Sequence, residues 1–266
     1  MKELTLKQIA DWCGGTVAPE YETVPVTGVE SDSRKVEVGD LFVALRGERV
    51  DGHDFIPSAK TLGASAALVS RPSEELPCVV VESPLRAYGE IAKHYREMTG
   101  VKVVGITGTK GKTTTAYLTQ AMLNGCSGGK CALFSSVDNC LDGHTYVESD
   151  LTTPESMDAF RMMREAVDNG MEYLVMEVSS QAYKVDRVFG LTFDVAAFLN
   201  ISPDHISPIE HPTFEDYLYC KRQIIVNAKS LVLGADSLHA DLLREGAEAA
   251  GIGVTTFALH DADNAG

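Results

Sequence analysis

Basic residues are scarce in this 266-residue chain. It carries 23 Lys and Arg against 38 Asp and Glu, which gives a formal net charge of -15. A protein that holds nucleic acid by neutralising phosphates needs a basic face, so this balance argues against a nucleic-acid partner. An anionic ligand must therefore be held locally, by backbone amides, a helix N-terminus, a metal ion or single basic side chains.

Paired cysteines and long apolar runs are also missing. No two of the six cysteines form a CxxC pair, so we expect reduced thiols rather than disulfides or a structural zinc site. No apolar run is long enough to cross a membrane, and the first twelve residues mix charged and apolar side chains, unlike a signal peptide. These features favour a cytoplasmic protein with no membrane partner. The hydrophobic fraction of 44% is sufficient for a full core.

Two blocks of different texture indicate two α/β domains, residues 1–99 and residues 100–266. In the first block the patterns predict helices at residues 6–13 and 55–62 and strands at residues 40–45 and 66–69. A helical pattern over residues 85–98 then ends at Thr99 and Gly100. We expect a small N-terminal α/β domain.

The second block alternates buried strands with amphipathic helices, which predicts a doubly wound, mostly parallel sheet. Strands are expected at residues 101–106, 132–135, 173–178, 194–200, 230–233 and 254–257. A helix is expected to begin with Thr153 as N-cap and Pro154 at its first position, and to stop at Gly170. Because the chain ends on a polar run directly after a strand, we expect this domain to be incomplete at its C-terminal end.

A glycine-rich loop follows the first strand of the second block and opens a helix. This strand, glycine turn and helix start are the context that a phosphate loop requires. Gly108 and Gly111 let the backbone approach a phosphate, Lys112 supplies a point charge, and the Thr113 hydroxyl can ligate magnesium. The predicted ATP-binding residues are Gly108, Thr109, Lys110, Gly111, Lys112, Thr113 and Thr114.

The loop departs by one residue from the common GxxxxGK[ST] spacing. The first glycine of that pattern would fall at Ile106, and the nearby glycine is Gly105. A glycine-rich turn with an exposed lysine is the alternative interpretation, although strand, GK[ST] and helix stand in the expected order.

Two further positions carry chemistry from the residues themselves. Glu177 ends a strongly apolar strand, where open α/β sheets present ligand groups, and a carboxylate there can hold magnesium. Lys221 shares a helical face with Phe214, Tyr217 and Ile224. Snorkelling to the surface is the ordinary explanation for such a lysine. Partial burial would instead lower its pKa and free the neutral amine, which can take up carbon dioxide.

Six segments in order resemble the Mur ligase family of cell-wall synthesis, most closely its branch that adds L-lysine as the third peptide residue. They are SDSR at 31–34, GTKGKTT at 108–114, LTTPE at 151–155, MEVSSQ at 176–181, NISPDH at 200–205 and YLYCK at 217–221. The resemblance implies a UDP-binding N-terminal domain, a central ATPase domain and a C-terminal domain for the incoming amino acid. The third is absent here, so we expect this chain alone to be inactive.

The resemblance also implies roles for single residues. Catalysis would rest on Lys112, Glu177, His205 and Lys221, with Mg²⁺ held by Thr113, Glu177, His205 and a carbamate on Lys221. The substrate UDP-MurNAc-L-Ala-D-Glu would contact Ser33, Thr152, Thr153, Ser179 and Arg187. The expected partners are that substrate, ATP and L-lysine, and the expected state is a monomer.

Other readings stay open from sequence. Another ligase of the superfamily, such as a folylpolyglutamate synthase or the ligase that adds the next dipeptide, is one alternative. A non-catalytic module that binds ATP or a UDP-sugar is another. The pair Thr113-Thr114 after Lys112, with LTTPES and MEVSSQ, favours the ligase of the third residue.

Overall fold

The fold is described from a computed structural model, covering residues 4–47, 50–97, 100–204, 206–207 and 210–258. The chain divides into two compact units, Met1–Met98 and Thr99–Gly266. Both are built of α-helices and β-strands, as expected. Among the described residues, no helix is both long and apolar enough to cross a membrane.

The first unit holds a five-stranded sheet in the order β2-β7-β6-β5-β4 and a separate antiparallel pair, β1-β3. Strands β4 to β7 run parallel, and β2 pairs antiparallel with β7. The strands are β1 Leu4–Thr5, β2 Thr16–Val17, β3 Pro25–Val26, β4 Gly28–Glu30, β5 Asp40–Val43, β6 Ala66–Val69 and β7 Cys78–Val80. The helices are α1 Leu6–Cys13, α2 Ile56–Leu62 and α3 Pro84–Glu97, with 3-10 turns at Pro19–Tyr21 and Gly52–Phe55.

Local signals explain the helices of this unit. A capping box between Thr5 and Gln8 starts α1, since the Thr5 side chain accepts from the Gln8 amide and the Gln8 side chain accepts from the Thr5 amide. Gly63 ends α2 with a φ of 109°, which suits glycine. The predicted helices and strands are present in this unit. The strands that were missed are two or three residues long: β1, β2, β3, β4 and β7.

The second unit holds an eight-stranded sheet in the order β11-β10-β9-β12-β8-β13-β14-β15. Its strands are β8 Lys102–Thr107, β9 Cys131–Phe134, β10 Asp138–Cys140, β11 Tyr146–Glu148, β12 Tyr173–Glu177, β13 Val195–Phe198, β14 Ser230–Gly234 and β15 Gly253–Phe257. The helices are α4 Lys112–Ser127, α5 Ser156–Asp168, α6 Ser180–Lys184, α7 Phe214–Arg222 and α8 Ala240–Ala249, with a 3-10 turn at Gln223–Ile225.

The mostly parallel sheet of the prediction is confirmed, with one addition. Six strands run parallel, in the order β9-β12-β8-β13-β14-β15. Strands β10 and β11 form an unpredicted antiparallel hairpin next to β9. Strand β8 lies between β12 and β13, so the carboxyl ends of these three strands are neighbours. In open parallel sheets the carboxyl ends of the strands present ligand groups. The phosphate loop follows β8, Glu177 is the last residue of β12, and Asn200 comes shortly after β13.

The helix expected to begin after Thr153 begins later. Its first residue is Ser156 and its N-cap position is Glu155, so the prediction of Thr153 as N-cap is wrong. The buried Thr153 hydroxyl instead donates to the carbonyl of Glu177 at 3.0 Å and accepts from the Ser179 amide at 3.0 Å. Tertiary hydrogen bonds at the strand end thus outcompeted a local capping preference.

Candidate active site

The loop after β8 owes its shape to two glycines with different constraints. Gly111 has a φ of 84° and stands directly before α4, a left-handed conformation that favours glycine. At Gly108 a β-carbon would lie 3.0 Å from Cβ of Leu199, so close packing is the constraint there. Gly105, the residue that breaks the common spacing, packs against Phe193, where an added β-carbon would come within 2.6 Å of the ring.

Helix α4 therefore starts near the carboxyl end of β8 without a side-chain cap. The first amides of any α-helix have no acceptor within that helix, and the helix dipole adds positive potential there. A phosphate group fits both features. Thr114 is exposed in the first turn of this helix.

Two lysines converge on the loop. Lys112 Nζ donates to the carbonyl oxygen of Gly108 at 3.0 Å, and Lys221 Nζ donates to the same oxygen at 2.9 Å. Lys221 is 2% exposed, and its Nζ also lies 5.0 Å from the centre of the Tyr217 ring. The lysine on the helical stripe is thus buried rather than snorkelling.

Burial shifts the charge equilibria of both lysines. It lowers the pKa of Lys221 to about 7, and the nearby charge of Lys112 lowers it further. Burial also lowers the pKa of Lys112, while the carboxylate of Glu177 opposes that shift. A substantial fraction of the Lys221 amine is therefore neutral near neutral pH.

Glu177 and Thr113 form a compact group of oxygen donors beside the loop. Glu177 is fully buried, and its Oε2 accepts from the Thr113 hydroxyl at 3.1 Å. Its Oε1 accepts from the amide of Ser136 at 3.0 Å and from the Ser136 hydroxyl at 3.3 Å. Carboxylate and hydroxyl oxygens are hard donors of the type that Mg²⁺ prefers, so this group fits the ion that the sequence implied.

Thr109 and Lys110 are placed differently from the other predicted ATP-binding residues. The buried Thr109 hydroxyl accepts from the Ser202 amide at 3.1 Å and lies 3.1 Å from the Tyr217 hydroxyl. The Thr109 amide donates to the Asn200 carbonyl at 3.0 Å. Lys110 directs its ammonium to Asp204 at 2.9 Å. Both residues therefore brace the loop in this structure.

Asn200 is a site residue to which sequence reasoning assigned no role. Its Oδ1 accepts from the Lys110 amide at 2.9 Å and its Nδ2 donates to the Lys110 carbonyl at 3.0 Å. This pair of bonds holds the middle of the phosphate loop against the end of β13. An asparagine directly after a strand that neighbours the loop strand was the available signal.

A cavity of about 320 Å³ opens beside the loop. It brings together three cationic side chains, those of Lys112, Arg187 and Lys221, in a chain that is acidic overall. Arg187 also contacts Glu155, with its Nη2 2.7 Å and its Nε 2.9 Å from Oε1 of that carboxylate. The other lining residues are Leu151, Thr152, Ser179, Ser180, Gln181, Glu210 and His211. A cavity of this character suits an anionic ligand next to the phosphate loop.

The predicted substrate residues fall into three groups. Thr152, Ser179 and Arg187 line the cavity, whereas Thr153 lies buried behind it. The Ser179 hydroxyl already accepts from the Ala182 amide at 3.1 Å, which caps α6. Ser33 lies in the first unit, in a turn where Asp32 Oδ1 accepts from the Arg34 amide at 3.0 Å and the Arg34 guanidinium lowers the pKa of Asp32 to about 2. His205, predicted as a metal ligand, lies outside the described residues.

The phosphate loop lies at the carboxyl ends of neighbouring parallel strands, with a buried carboxylate and a basic cavity beside it. This combination defines a nucleotide-binding α/β domain of the P-loop type. Residues 106–265 match the family described as the Mur ligase middle domain, and residues 25–112 match the Mur ligase family catalytic domain. The chain belongs to the Mur ligase family.

Relatives in this family share substantial sequence. The chain is 68% identical over 247 residues to a UDP-N-acetylmuramyl-tripeptide synthetase of Bifidobacterium longum, a match that covers 91% of the chain and 47% of the relative. It is 57% identical over 148 residues to the UDP-N-acetylmuramoyl-L-alanyl-D-glutamate--L-lysine ligase of Enterococcus faecalis, covering 56% of the chain and 29% of the relative. The matches span about half the length of the Bifidobacterium relative and less than a third of the Enterococcus relative.

Solved structures share the fold. A UDP-N-acetylmuramoyl-L-alanyl-D-glutamate--2,6-diaminopimelate ligase superposes with a TM-score of 0.80 at 24% identity, over 97% of this chain and 53% of that one. The MurF ligase of Thermotoga maritima in complex with ADP gives a TM-score of 0.60 at 25% identity, over 88% of this chain and 50% of that one.

Proposed function

We propose that this chain is the UDP-sugar-binding and ATP-binding part of a ligase that adds L-lysine to UDP-MurNAc-L-Ala-D-Glu in peptidoglycan precursor synthesis. The observation that carries the proposal is the cavity in which Lys112 of the phosphate loop, Arg187 and Lys221 lie together. The names of the Bifidobacterium and Enterococcus relatives support the substrate, and the Enterococcus name supports L-lysine.

The reaction proposed has two steps. A carboxylate oxygen of the substrate attacks the γ-phosphorus of ATP, ADP leaves, and an acyl phosphate forms. The amine of the amino acid then attacks the acyl carbon, the C–O bond to phosphate breaks, and inorganic phosphate leaves with the electron pair. Two anions must meet in the first step, so fixed positive charge is the main requirement of the site.

Separate residues of this chain meet that requirement. Lys112 and the first amides of α4 hold the phosphates, while Arg187, which lines the same cavity, offers a forked donor to the substrate carboxylate. Thr152 and Ser179 line the same space and position the peptide part of the substrate. Thr153 supports them through its bonds to the end of β12. Ser33 of the first unit is proposed to contact the UDP-sugar.

Mg²⁺ would be held by Thr113, Glu177 and His205, together with a carbamate formed on Lys221. When bound, the ion offsets the negative charge of the phosphates. The buried Glu177 contributes its charge at a position fixed by Ser136 and Thr113.

The environment of Lys221 supports carbamylation. The amine is buried with a pKa lowered to about 7 by that burial, so a neutral nucleophile is present at neutral pH. Lys221→Ala should lose activity, and added bicarbonate or short carboxylic acids should restore part of it. Wild-type turnover in that variant would refute the role of Lys221.

Phosphate release by the full-length protein tests the function. The assay supplies ATP, Mg²⁺ and UDP-MurNAc-L-Ala-D-Glu, with lysine, ornithine or diaminopimelate as the amine. We expect release that depends on the amino acid and is fastest with lysine. No release with any of the three contradicts the ligase assignment, and a preference for another amine corrects the acceptor.

A further inference from the structure

A hydrogen-bonded chain of three side chains reaches the wall of the cavity. Asp216 Oδ2 lies 2.7 Å from His211 Nδ1, and His211 Nε2 lies 2.9 Å from Ser180 Oγ. His211 is 1% exposed and Ser180 is 7% exposed. Ser180 is the first residue of α6, Asp216 lies in the first turn of α7, and His211 stands between the two helices. Sequence spacing gave no reason to connect them.

The carboxylate fixes the direction of these bonds. The hydrogen bond from His211 lowers the pKa of Asp216, and Lys184, whose Nζ lies 3.4 Å away, lowers it further. An ionised carboxylate only accepts, so the Nδ1 hydrogen of His211 points to Asp216, and in the neutral imidazole Nε2 is the acceptor. The Ser180 hydroxyl then donates to Nε2, as in other Asp-His-Ser arrays.

Packing holds the imidazole in this orientation. The ring of Tyr217 stands against it edge-on, with ring centres 5.2 Å apart. Tyr217 also reaches Thr109 of the phosphate loop. The array is therefore anchored to the element that binds the nucleotide.

Both Ser180 and His211 line the cavity that also holds Lys112, Arg187 and Lys221. The proposed second step needs a proton acceptor there, because the amine of a free amino acid is an ammonium at neutral pH and attacks only after losing a proton. Lys112 and Arg187 line the cavity as cations, and the amine of Lys221 is committed to the carbamate proposed above. His211, through Ser180, and Glu210 are the remaining lining groups suited to accept a proton.

We propose that Ser180 takes the proton of the attacking amine. Its Oγ accepts a proton from nitrogen while its own hydroxyl proton passes to His211 Nε2, and Asp216 stabilises the resulting imidazolium. The new C–N bond forms as the acyl phosphate C–O bond breaks. Ser180 is then a catalytic residue, and His211 and Asp216 are positioning residues. This inference rests on the proposed ligase function.

Cys220 lies near the same group, since its sulfur falls within 4.8 Å of ligand atoms of His211 and Asp216. A metal ion there would have to displace the hydrogen bond at whichever imidazole nitrogen bound it, and the ammonium of Lys184 stands beside Asp216. Burial also raises the pKa of the Cys220 thiol. Proton transfer accounts for the arrangement without breaking any of these contacts.

An assay with two different nucleophiles can distinguish a role of Ser180 in proton transfer from a purely structural role. The full-length protein is assayed with lysine, which needs deprotonation, and with hydroxylamine, which is uncharged at neutral pH and traps the acyl phosphate as a hydroxamate. We expect Ser180→Ala and Asp216→Asn to slow amide formation roughly 100-fold and hydroxamate formation less than about threefold. Ser180→Thr, which keeps a hydroxyl, should recover most of the lysine-dependent rate.

Controls make each outcome decisive. Ser230→Ala removes a partly buried serine hydroxyl from another part of the sheet and should affect both nucleophiles equally or not at all. Equal losses with lysine and hydroxylamine in Ser180→Ala, or no loss, would overturn the relay. A selective loss in Glu210→Gln instead would assign the base to Glu210. If the wild-type protein forms neither product, the ligase function itself fails.

Discussion

Lys112 and Lys221 share one hydrogen-bond acceptor, the carbonyl oxygen of Gly108, although they lie on different helices. Two ammonium groups on a single neutral oxygen repel each other, which contributes to the lowered pKa of Lys221. A phosphate at this position offers both lysines a charged acceptor, and charge-assisted hydrogen bonds are roughly twice as strong as neutral ones. The arrangement therefore favours an anion at the loop.

Removing the first of these lysines should weaken nucleotide binding. We expect Lys112→Ala to cost about 2–3 kcal/mol of ADP affinity, or roughly 30- to 150-fold, because the phosphate loses a partly buried cation. Isothermal titration calorimetry measures the loss. Lys130→Ala is the matched control, since the Lys130 side chain forms an exposed ion pair with Glu172 and its removal should change affinity by less than about 0.5 kcal/mol. Unchanged ADP affinity in Lys112→Ala would contradict the phosphate-loop assignment.

Glu177 should determine how strongly Mg²⁺ raises the ATP affinity, rather than the nucleotide affinity without Mg²⁺. Glu177→Gln keeps the size of the side chain and an oxygen that accepts from the Ser136 amide, while its NH₂ group can donate to the Thr113 hydroxyl. We therefore expect a folded protein whose ATP affinity no longer rises when Mg²⁺ is added. Nucleotide affinity in EDTA should stay the same or increase, since a negative charge near the phosphates is gone. Titrations with and without Mg²⁺ provide the readout, and Glu172→Gln, at an exposed position before the same strand, serves as control. A retained magnesium effect would exclude Glu177 as a ligand.

Lys221 should make stability depend on pH. Folding lowers its pKa from 10.5 to about 7, so between these values the unfolded chain binds more protons and the free energy of unfolding rises with pH. The destabilisation is full below pH 7 and vanishes near pH 10.5. In buffer free of carbon dioxide, Lys221→Met should be more stable than wild type at pH 7, by at most about 4 kcal/mol.

The melting temperatures of the two proteins should then approach each other as the pH rises toward 10. Differential scanning calorimetry at several pH values follows that gap. A gap that stays constant from pH 7 to pH 10 would mean that the buried amine keeps its ordinary pKa.

Two glycines of the second unit should respond oppositely to alanine. At Gly105 the new methyl group would meet the Phe193 ring at 2.6 Å, so we expect Gly105→Ala to destabilise the protein by about 1–3 kcal/mol. Gly125 lies in α4 with no heavy atom within 4 Å of an added β-carbon, and Gly125→Ala should stabilise it by up to about 1 kcal/mol. Thermal unfolding measures both. Equal effects would show that the environment of Gly105 is looser than described.

Much of the second unit could be predicted because its signals are local. The strand before the phosphate loop, the glycine turn and the start of α4 follow one another directly, and periodicity marked the buried strands to within two residues at each end. Short polar strands carry no such signal. The hairpin of β10 and β11 is made of three-residue strands, and β11 is exposed along its length.

The site was only partly predictable, since several of its contacts join residues far apart in the chain. Thr153 showed a capping signal, yet its hydroxyl pairs with Glu177 and Ser179. Asn200 bonds to the loop across the sheet edge. The roles proposed for the site residues stay predictions, including those of Ser33, His205 and the carbamate on Lys221.

The sequence by itself determined the P-loop type of the domain and its family, because glycine, lysine and threonine in immediate succession after an apolar strand dictate a local backbone path. Tertiary structure alone decided which side chains share the cavity and how burial shifts their pKa values. Placing β8 between β12 and β13 brings the phosphate loop next to Glu177 and Asn200, and burying α7 removes Lys221 from water. Desolvation and cross-chain hydrogen bonds depend on that packing, and no local pattern encodes them.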